Sequence, residues 1–107
     1  MTIAPLAIAL RQIRHGRVAL AEGWLHTAIV CLDSARIWLT KGYQRLQVMG
    51  RCVRPDLGGG PIFESHRARS EHYRARVLFV QRVVDSFAVG VALAATPGDL
   101  PGKSGRQ

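Results

Sequence analysis

The chain has 107 residues, of which 48% are hydrophobic, and its 15 Lys+Arg against 7 Asp+Glu give a formal net charge of +8. This length allows one small domain and excludes a two-domain enzyme with a cofactor cleft between its domains. The hydrophobic content excludes a disordered chain despite the charge. Cys31 and Cys52 have no CxxC or CxxH neighbours, so the sequence predicts neither a metal site nor a cofactor.

The first segment predicts a helix over about 4–22. Apolar side chains recur in alternating steps of four and three residues, with one arginine among them, at Leu6, Leu10, Ile13, Arg17, Leu20 and Trp24. Arg11, Arg14 and Arg17 all precede the first acidic residue, Glu22. An arginine-bearing apolar helix of this kind also suits an anionic membrane surface, an alternative that the pattern leaves open.

The second segment predicts a helix over about 24–49 in which large and small residues alternate along one stripe. The stripe advances in steps of three and four and consists of Leu25, Ala28, Leu32, Ala35, Leu39, Gly42, Leu46 and Met49. Small residues at every second position let a partner helix approach closely, while the leucines fill the space beside it. We therefore expect this stripe to be a helix-packing interface.

A loop and a third helix follow. Residues 50–63 include the sequence PDLGGGPIF, whose prolines and consecutive glycines predict a loop. Residues 64–95 carry a third apolar stripe, which consists of Tyr73, Val77, Val80, Val84, Phe87 and Val91. Its valines have strand propensity, but its steps of four and three residues favour a helix. We expect the loop to return this helix antiparallel to the second one, so that the two stripes pack together.

Together these segments predict an all-α domain over residues 1–95, a small three-helix bundle built on a long antiparallel helical hairpin. Residues 96–107 are rich in proline and glycine and predict a disordered C-terminal tail. Large apolar residues remain outside the three stripes, at Val30, Ile37, Trp38, Val48, Leu78 and Phe79. Either the first helix or a second chain must cover them, so we expect a homo-oligomer.

The most apolar stretch, Val77 to Ala95, is not expected to span a membrane. Gln81, Arg82 and Asp85 lie near its middle, and each charge would cost about 2.5–3.5 kcal/mol at the centre of a bilayer. The N-terminus has neither an early positive charge nor a clean cleavage site, unlike a secretory signal. We therefore expect a cytoplasmic protein.

The start of the third helix is rich in arginine. The predicted nucleic-acid-binding residues are Arg11, Arg14, Arg67, Arg69, Arg74 and Arg76. The last four form two pairs with a spacing of seven residues, one pair on each flank of the apolar stripe. Such an arrangement suits a phosphate backbone, with His72 or Tyr73 placed to stack on a base. The alternative is a solvated face in which Glu71 pairs with Arg67 or Arg74.

The same segment resembles part of a ribonuclease family. The pattern Arg67-xxxx-His72-Tyr73 is similar to the Arg-x(4–6)-His motif of HEPN-type ribonucleases, which are all-α proteins that cleave RNA as dimers. The run WLHTAIVCLDSARIWLTKGY, from Trp24 to Tyr43, also resembles the first helix of many HEPN domains. The resemblance implies a metal-independent ribonuclease in which His72 is the general acid/base and Arg67 stabilises phosphate charge at a dimer interface.

The sequence favours a small basic helical interaction module, without catalytic residues, that self-associates and that binds and regulates a protein partner or nucleic acid. Its surplus apolar side chains favour a protein partner. Its net charge and the arginines at the start of the third helix favour nucleic acid. The HEPN-like ribonuclease using Arg67 and His72 is the alternative function.

Overall fold

The computed structural model describes residues 4–52 and 61–96. Three helices account for nearly all of them: α1 (Pro5–Ala21), α2 (Leu25–Cys52) and α3 (Pro61–Ala95). The helices pack together, and these two ranges contain no strand, which confirms the prediction of an all-α three-helix fold. The predicted tail lies, apart from Thr96, outside the described residues.

A short turn that ends α1 and begins α2 fixes the first helical hairpin. Gly23 has a φ of 83°, a left-handed conformation that glycine adopts without steric cost. The Gly23 N–H donates to the Leu20 carbonyl at 3.1 Å, and the Trp24 N–H donates to the Ala19 carbonyl at 2.8 Å. This pair of bonds is the Schellman arrangement, which satisfies the last carbonyls of a helix and reverses the chain.

The predicted loop over 50–63 is wrong at both of its ends, because α2 continues to Cys52 and α3 already begins at Pro61. A proline at the first position of a helix loses no hydrogen bond, since the N–H there has no partner within the helix. Gly50 near the end of α2 costs that helix only about 1 kcal/mol relative to alanine. The glycine triplet at 58–60 lies outside the described residues.

Two glycines show how closely α1 approaches its neighbours. A Cβ atom added to Gly42 of α2 would lie 2.7 Å from a methyl carbon of Leu6, near the start of α1. A Cβ atom added to Gly16 of α1 would lie 3.1 Å from the Cβ of Cys31, near the start of α2. The start of α1 thus meets the C-terminal half of α2, and the end of α1 meets its N-terminal half. The two helices are therefore antiparallel.

The third helix runs parallel to α1. The same added Cβ on Gly16 would lie 2.5 Å from the ring of Phe87, and one on Gly90 would lie 3.7 Å from Leu20. Residue numbers thus rise together along α1 and α3, and α2 is antiparallel to both. The α2–α3 hairpin that the sequence predicts is therefore present, with α1 alongside it as a full member of the bundle.

The two stripes predicted on α2 and α3 form the core together with the buried face of α1. Along these stripes the buried apolar residues are Ala28, Leu32, Ala35, Leu39, Val77, Val80, Val84, Phe87 and Val91. At the ends of the two stripes, Leu25 and Tyr73 are partly buried and pack against this cluster, and Leu46 is half-buried. The alternation of leucine with alanine and glycine on α2 thus meets the short valine side chains of α3.

The stripe predicted on α1 is partly wrong. The buried residues of this helix are Leu6, Ala9, Ile13, Gly16 and Ala19. Arg17 and Trp24, which belong to the predicted stripe, are exposed. Alanine and glycine carry little side-chain volume, so α1 turns its small residues inward and approaches α2 and α3 closely. A pattern built on large apolar residues alone missed this face.

The first helix does not cover the surplus apolar residues. Of the six expected to need a cover, Trp38 is half-buried, and Lys41 lies over its ring at 5.5 Å from the centroid. The other five are exposed: Val30, Ile37, Val48, Leu78 and Phe79. The possibility that α1 packs over them is therefore wrong for these five, because α1 contributes its apolar face to the common core.

Candidate interaction groove between α1 and α3

The parallel helices α1 and α3 leave a groove between them on the outside of the bundle. It consists of two adjoining depressions of about 330 and 390 Å³, which share Leu10 of α1 and Phe79 of α3. The apolar residues that line it are Leu10, Ile13, Val18, Ala75, Phe79, Val80 and Val83. Phe79 is 58% exposed and is the largest apolar side chain in the groove.

Both walls of this groove carry basic side chains. Arg14 and Arg17 line it from α1, and Arg76 and His72 line it from α3. Arg14 and Arg17 are one helical turn apart and therefore lie on the same side of α1. The groove thus combines an apolar floor with arginines from both helices.

No carboxylate belongs to the described residues that line either depression. The α1 sequence contains no Asp or Glu. On α3, Glu71 accepts a hydrogen bond from Arg67 at 3.3 Å, and Asp85 accepts one from Gln81 at 2.9 Å. The positive potential of the groove is therefore not neutralised by its own lining, which favours a ligand with negative charge.

The structure divides the six arginines predicted to bind nucleic acid. Arg14 and Arg76 come together as lining residues of the groove. Arg11, Arg69 and Arg74 are exposed but do not line it. Arg67 forms an ion pair with Glu71, one of the two local pairings that the sequence allowed, and both side chains are largely exposed. The assignment of these six residues to nucleic-acid binding stays a prediction.

The residue pair of the ribonuclease alternative lies on two sides of α3. Five positions along a helix correspond to a rotation of about 140°, so His72 faces the groove while Arg67 faces away from it. Tyr73, the expected stacking residue, is half-buried, and the Arg45 guanidinium lies 6.0 Å from its ring centroid. Arg67 and His72 of one chain do not converge, and the ribonuclease alternative stays a prediction.

Within the described ranges, no group of three His, Cys, Asp or Glu side chains is placed to hold a metal ion. In the same ranges, Arg67–Ala95 is the segment long and apolar enough to cross a membrane, by length and composition alone. Its mean hydropathy is 1.7 over an 18-residue window, of which 28% is buried in the bundle. The expectation that it does not span a membrane stays a prediction.

Comparison with known proteins was made at three levels. No protein-family model matches the chain. Neither a curated protein nor a solved structure matches it.

The sequence does not predict the groove, although it predicts binding residues on both of its walls. Arg17 interrupts an apolar stripe in the sequence, whereas in the structure it is a wall residue of the groove. Phe79 is an apolar residue outside the stripes, and the periodicity does not place it beside α1. The available signal was the coincidence of three arginines on α1 with large apolar residues outside the stripe of α3. These residues form one site only because α1 and α3 are parallel neighbours.

Proposed function

We propose that the protein is a non-enzymatic interaction module that binds a partner protein through the α1–α3 groove and thereby regulates it. The partner segment is apolar on the side that enters the groove and acidic along its flanks. An amphipathic helix of two to three turns has this chemistry. It also matches the groove, because Leu10 and Val18 are eight residues apart on α1, or about 12 Å along the helix axis.

The observation that carries the proposal is the position of Phe79 between arginines from both helices. A phenylalanine that is 58% exposed in the free protein has a large apolar area left to bury. Covering that area would stabilise a complex by about 1–1.5 kcal/mol. Aromatic anchors surrounded by arginine are typical of the centres of protein interfaces, where a few residues supply most of the binding energy.

The lining of the groove favours a protein partner over nucleic acid. Its floor is mainly aliphatic, and phosphate or sugar groups gain nothing from contact with aliphatic side chains. An apolar side chain of a partner gains free energy from the same contact. The arginines at the start of α3 lie on two sides of the helix, so one strand of nucleic acid would have to wrap around the helix to contact all of them.

The groove does not match a second copy of this chain. A complementary copy would need an apolar face flanked by acids, whereas each chain has 15 Lys+Arg against 7 Asp+Glu. Two copies joined through their basic grooves would repel each other. Self-association, which the sequence predicts, therefore requires a different surface.

The proposal is tested with a designed peptide. The probe is a fluorescent amphipathic helical peptide of about 16 residues with leucines on one face and glutamates along its flanks. Two matched peptides replace either the glutamates by glutamine or the leucines by alanine. We expect fluorescence anisotropy to show saturable binding of the first peptide and weaker binding of both others, because the groove recognises charge and apolar surface together.

Protein variants locate the binding. Phe79→Ala should weaken binding about 5- to 30-fold, the range expected for loss of an aromatic anchor. Arg14→Gln combined with Arg76→Gln should weaken it about 3- to 10-fold, the effect of two exposed charge pairs. The matched controls are Ile37→Ala, which removes an apolar side chain of the same 58% exposure on α2, and Arg36→Gln combined with Arg74→Gln, which removes the same charge.

Two outcomes would overturn the proposal. One is a peptide affinity that responds equally to the groove variants and to their controls. The other is tight binding of single-stranded RNA that depends on Arg67 and Arg74 and is unchanged in Phe79→Ala, because that result would make the protein a nucleic-acid-binding module instead.

A further inference from the structure

A second stripe with helical period runs along the outer side of α3, opposite its buried one. Its steps are four and three residues in alternation, and it consists of Glu71, Ala75, Leu78, Arg82, Asp85, Val89, Ala92 and Thr96. We call it the outer stripe. All eight residues are exposed, since neither α1 nor α2 covers this side of α3. Any side of a helix has this spacing; what distinguishes this side is that it carries two large apolar side chains, Leu78 and Val89, which are 45% and 60% exposed in the monomer.

The residues of the outer stripe are arranged symmetrically about its centre: matching positions carry side chains of similar kind, except that the two central ones have opposite charges. At its centre, Arg82 and Asp85 are opposite charges three residues apart. Leu78 and Val89 follow at four residues on either side. Beyond these come two alanines, Ala75 and Ala92, each three residues further out, and then the polar pair Glu71 and Thr96.

We propose that the outer stripe is the seam of an antiparallel homodimer, with the two-fold axis between Arg82 and Asp85. In an antiparallel pair of helices with this spacing, every residue meets the residue at the mirrored position of the other copy. Arg82 of one copy then meets Asp85 of the other, twice. Leu78 meets Val89, and Ala75 meets Ala92, so that the small residues let the two helices approach closely at both ends of the seam.

The geometry within one chain prepares Asp85 for this contact. Tyr43 of α2 donates a hydrogen bond to the Gln81 side-chain carbonyl at 2.9 Å, and the Gln81 amide donates to Asp85 at 2.9 Å. This chain of bonds, anchored on the neighbouring helix, restrains the Asp85 carboxylate on the surface of α3. Less side-chain entropy is then lost when an arginine of another molecule binds it.

The charges of Arg82 and Asp85 indicate which kind of partner can cover the outer stripe. A membrane-spanning position of α3 would leave Arg82 and Asp85 in an apolar environment, at a cost of about 2.5–3.5 kcal/mol each near the centre of the bilayer. A parallel second copy would place Arg82 against Arg82 and Asp85 against Asp85, and like charges in direct opposition are destabilising. Only the antiparallel copy pairs each charge with its opposite. Ala75 belongs both to this seam and to the α1–α3 groove, but Arg82 and Asp85 do not line the groove. The inference does not depend on the groove's function.

A charge exchange tests the seam, with oligomeric state measured by sedimentation equilibrium over a range of protein concentrations. We expect the unmodified chain to dimerise reversibly. Arg82→Asp alone and Asp85→Arg alone each create like-charge contacts, and each should weaken dimerisation at least about tenfold. The double variant carrying both changes restores opposite charges in reversed order and should dimerise more tightly than either single variant.

Controls separate this effect from net charge and from folding. Arg36→Asp and Asp33→Arg produce the same changes of net charge on α2 and should leave dimerisation unchanged. Circular dichroism should show native helix content in every variant, because all the substituted residues are exposed. A chain that stays monomeric at every concentration would overturn the proposal. A dimer that is as stable in the single variants as in the unmodified chain, or that is not recovered in the double variant, would also overturn it.

Discussion

The two stripes of α3 have the same spacing and different environments. The buried stripe, from Tyr73 to Val91, has no charged residue, and Val77 and Val84 within it are almost completely inaccessible. The outer stripe is exposed over its whole length and carries opposite charges at its centre. A period of three and four residues therefore identifies a face of a helix, whereas the side chains on that face determine what covers it. On α3 the entirely apolar face is buried by the chain's own helices, and the mixed face stays exposed.

The largest expected effect comes from adjacent residues on the two faces. Val77 is 0% exposed and Leu78 is 45% exposed. Val77→Asp would bury an unpaired carboxylate and should destabilise the fold by about 3–5 kcal/mol, enough to unfold a small domain. Leu78→Asp should change the stability of the monomer by less than about 1 kcal/mol.

Urea denaturation, monitored by circular dichroism, measures the free energy of unfolding of both variants. It should be done at a protein concentration low enough to keep the chain monomeric. Similar losses of stability in Val77→Asp and Leu78→Asp would contradict the assignment of the two faces.

The next effect concerns the contact between α1 and the buried stripe. Gly16 faces the ring of Phe87, which is 3% exposed and packed in the core, so a shift of the ring would disturb its neighbours. Gly16→Ala would place a methyl group within 2.5 Å of this ring. Overpacking should cost about 1–3 kcal/mol, more than the gain of up to about 1 kcal/mol in helix propensity. A thermal midpoint that rises in this variant would contradict the close approach of α1 to α3 at Gly16.

The smallest effect is expected at Gly90, which lies on α3 between the two faces. A Cβ atom added there would lie 3.7 Å from Leu20, an ordinary van der Waals contact. Gly90→Ala should therefore stabilise the chain by about 0.5–1 kcal/mol through helix propensity alone. Thermal unfolding of Gly16→Ala and Gly90→Ala side by side compares the same substitution at a closed and an open position, and equal shifts would be inconsistent with the structure.

Much of this architecture was accessible from the sequence because it depends on local spacing. The stripes at Leu25–Met49 and at Tyr73–Val91 each advance by three and four residues, and such spacing fixes which side of a helix is apolar. Pro61 was misjudged because proline both ends helices and begins them, and composition alone does not separate the two roles. The small residues Ala9 and Gly16 were overlooked because their contribution is close approach rather than apolar area.

The groove could not be predicted in the same way. Arg14 and Arg76 are far apart in the sequence, and they share a site only because α1 and α3 are parallel neighbours. Phe79 was recognised as exposed apolar surface, but its surroundings depend on α1. Long-range arrangement of this kind arises from packing between helices, about which spacing within one helix carries little information.

The most direct test of the central claim, that the α1–α3 groove is the partner-binding surface, is an NMR titration of the isotopically labelled protein with the leucine–glutamate peptide. We predict that the shifted amide signals cluster at Arg14, Arg17, Arg76 and Phe79, while those of Val30 and Ile37 on the outer side of α2 stay in place. Shifts concentrated on α2, or a spectrum that does not change at saturating peptide, would contradict the claim.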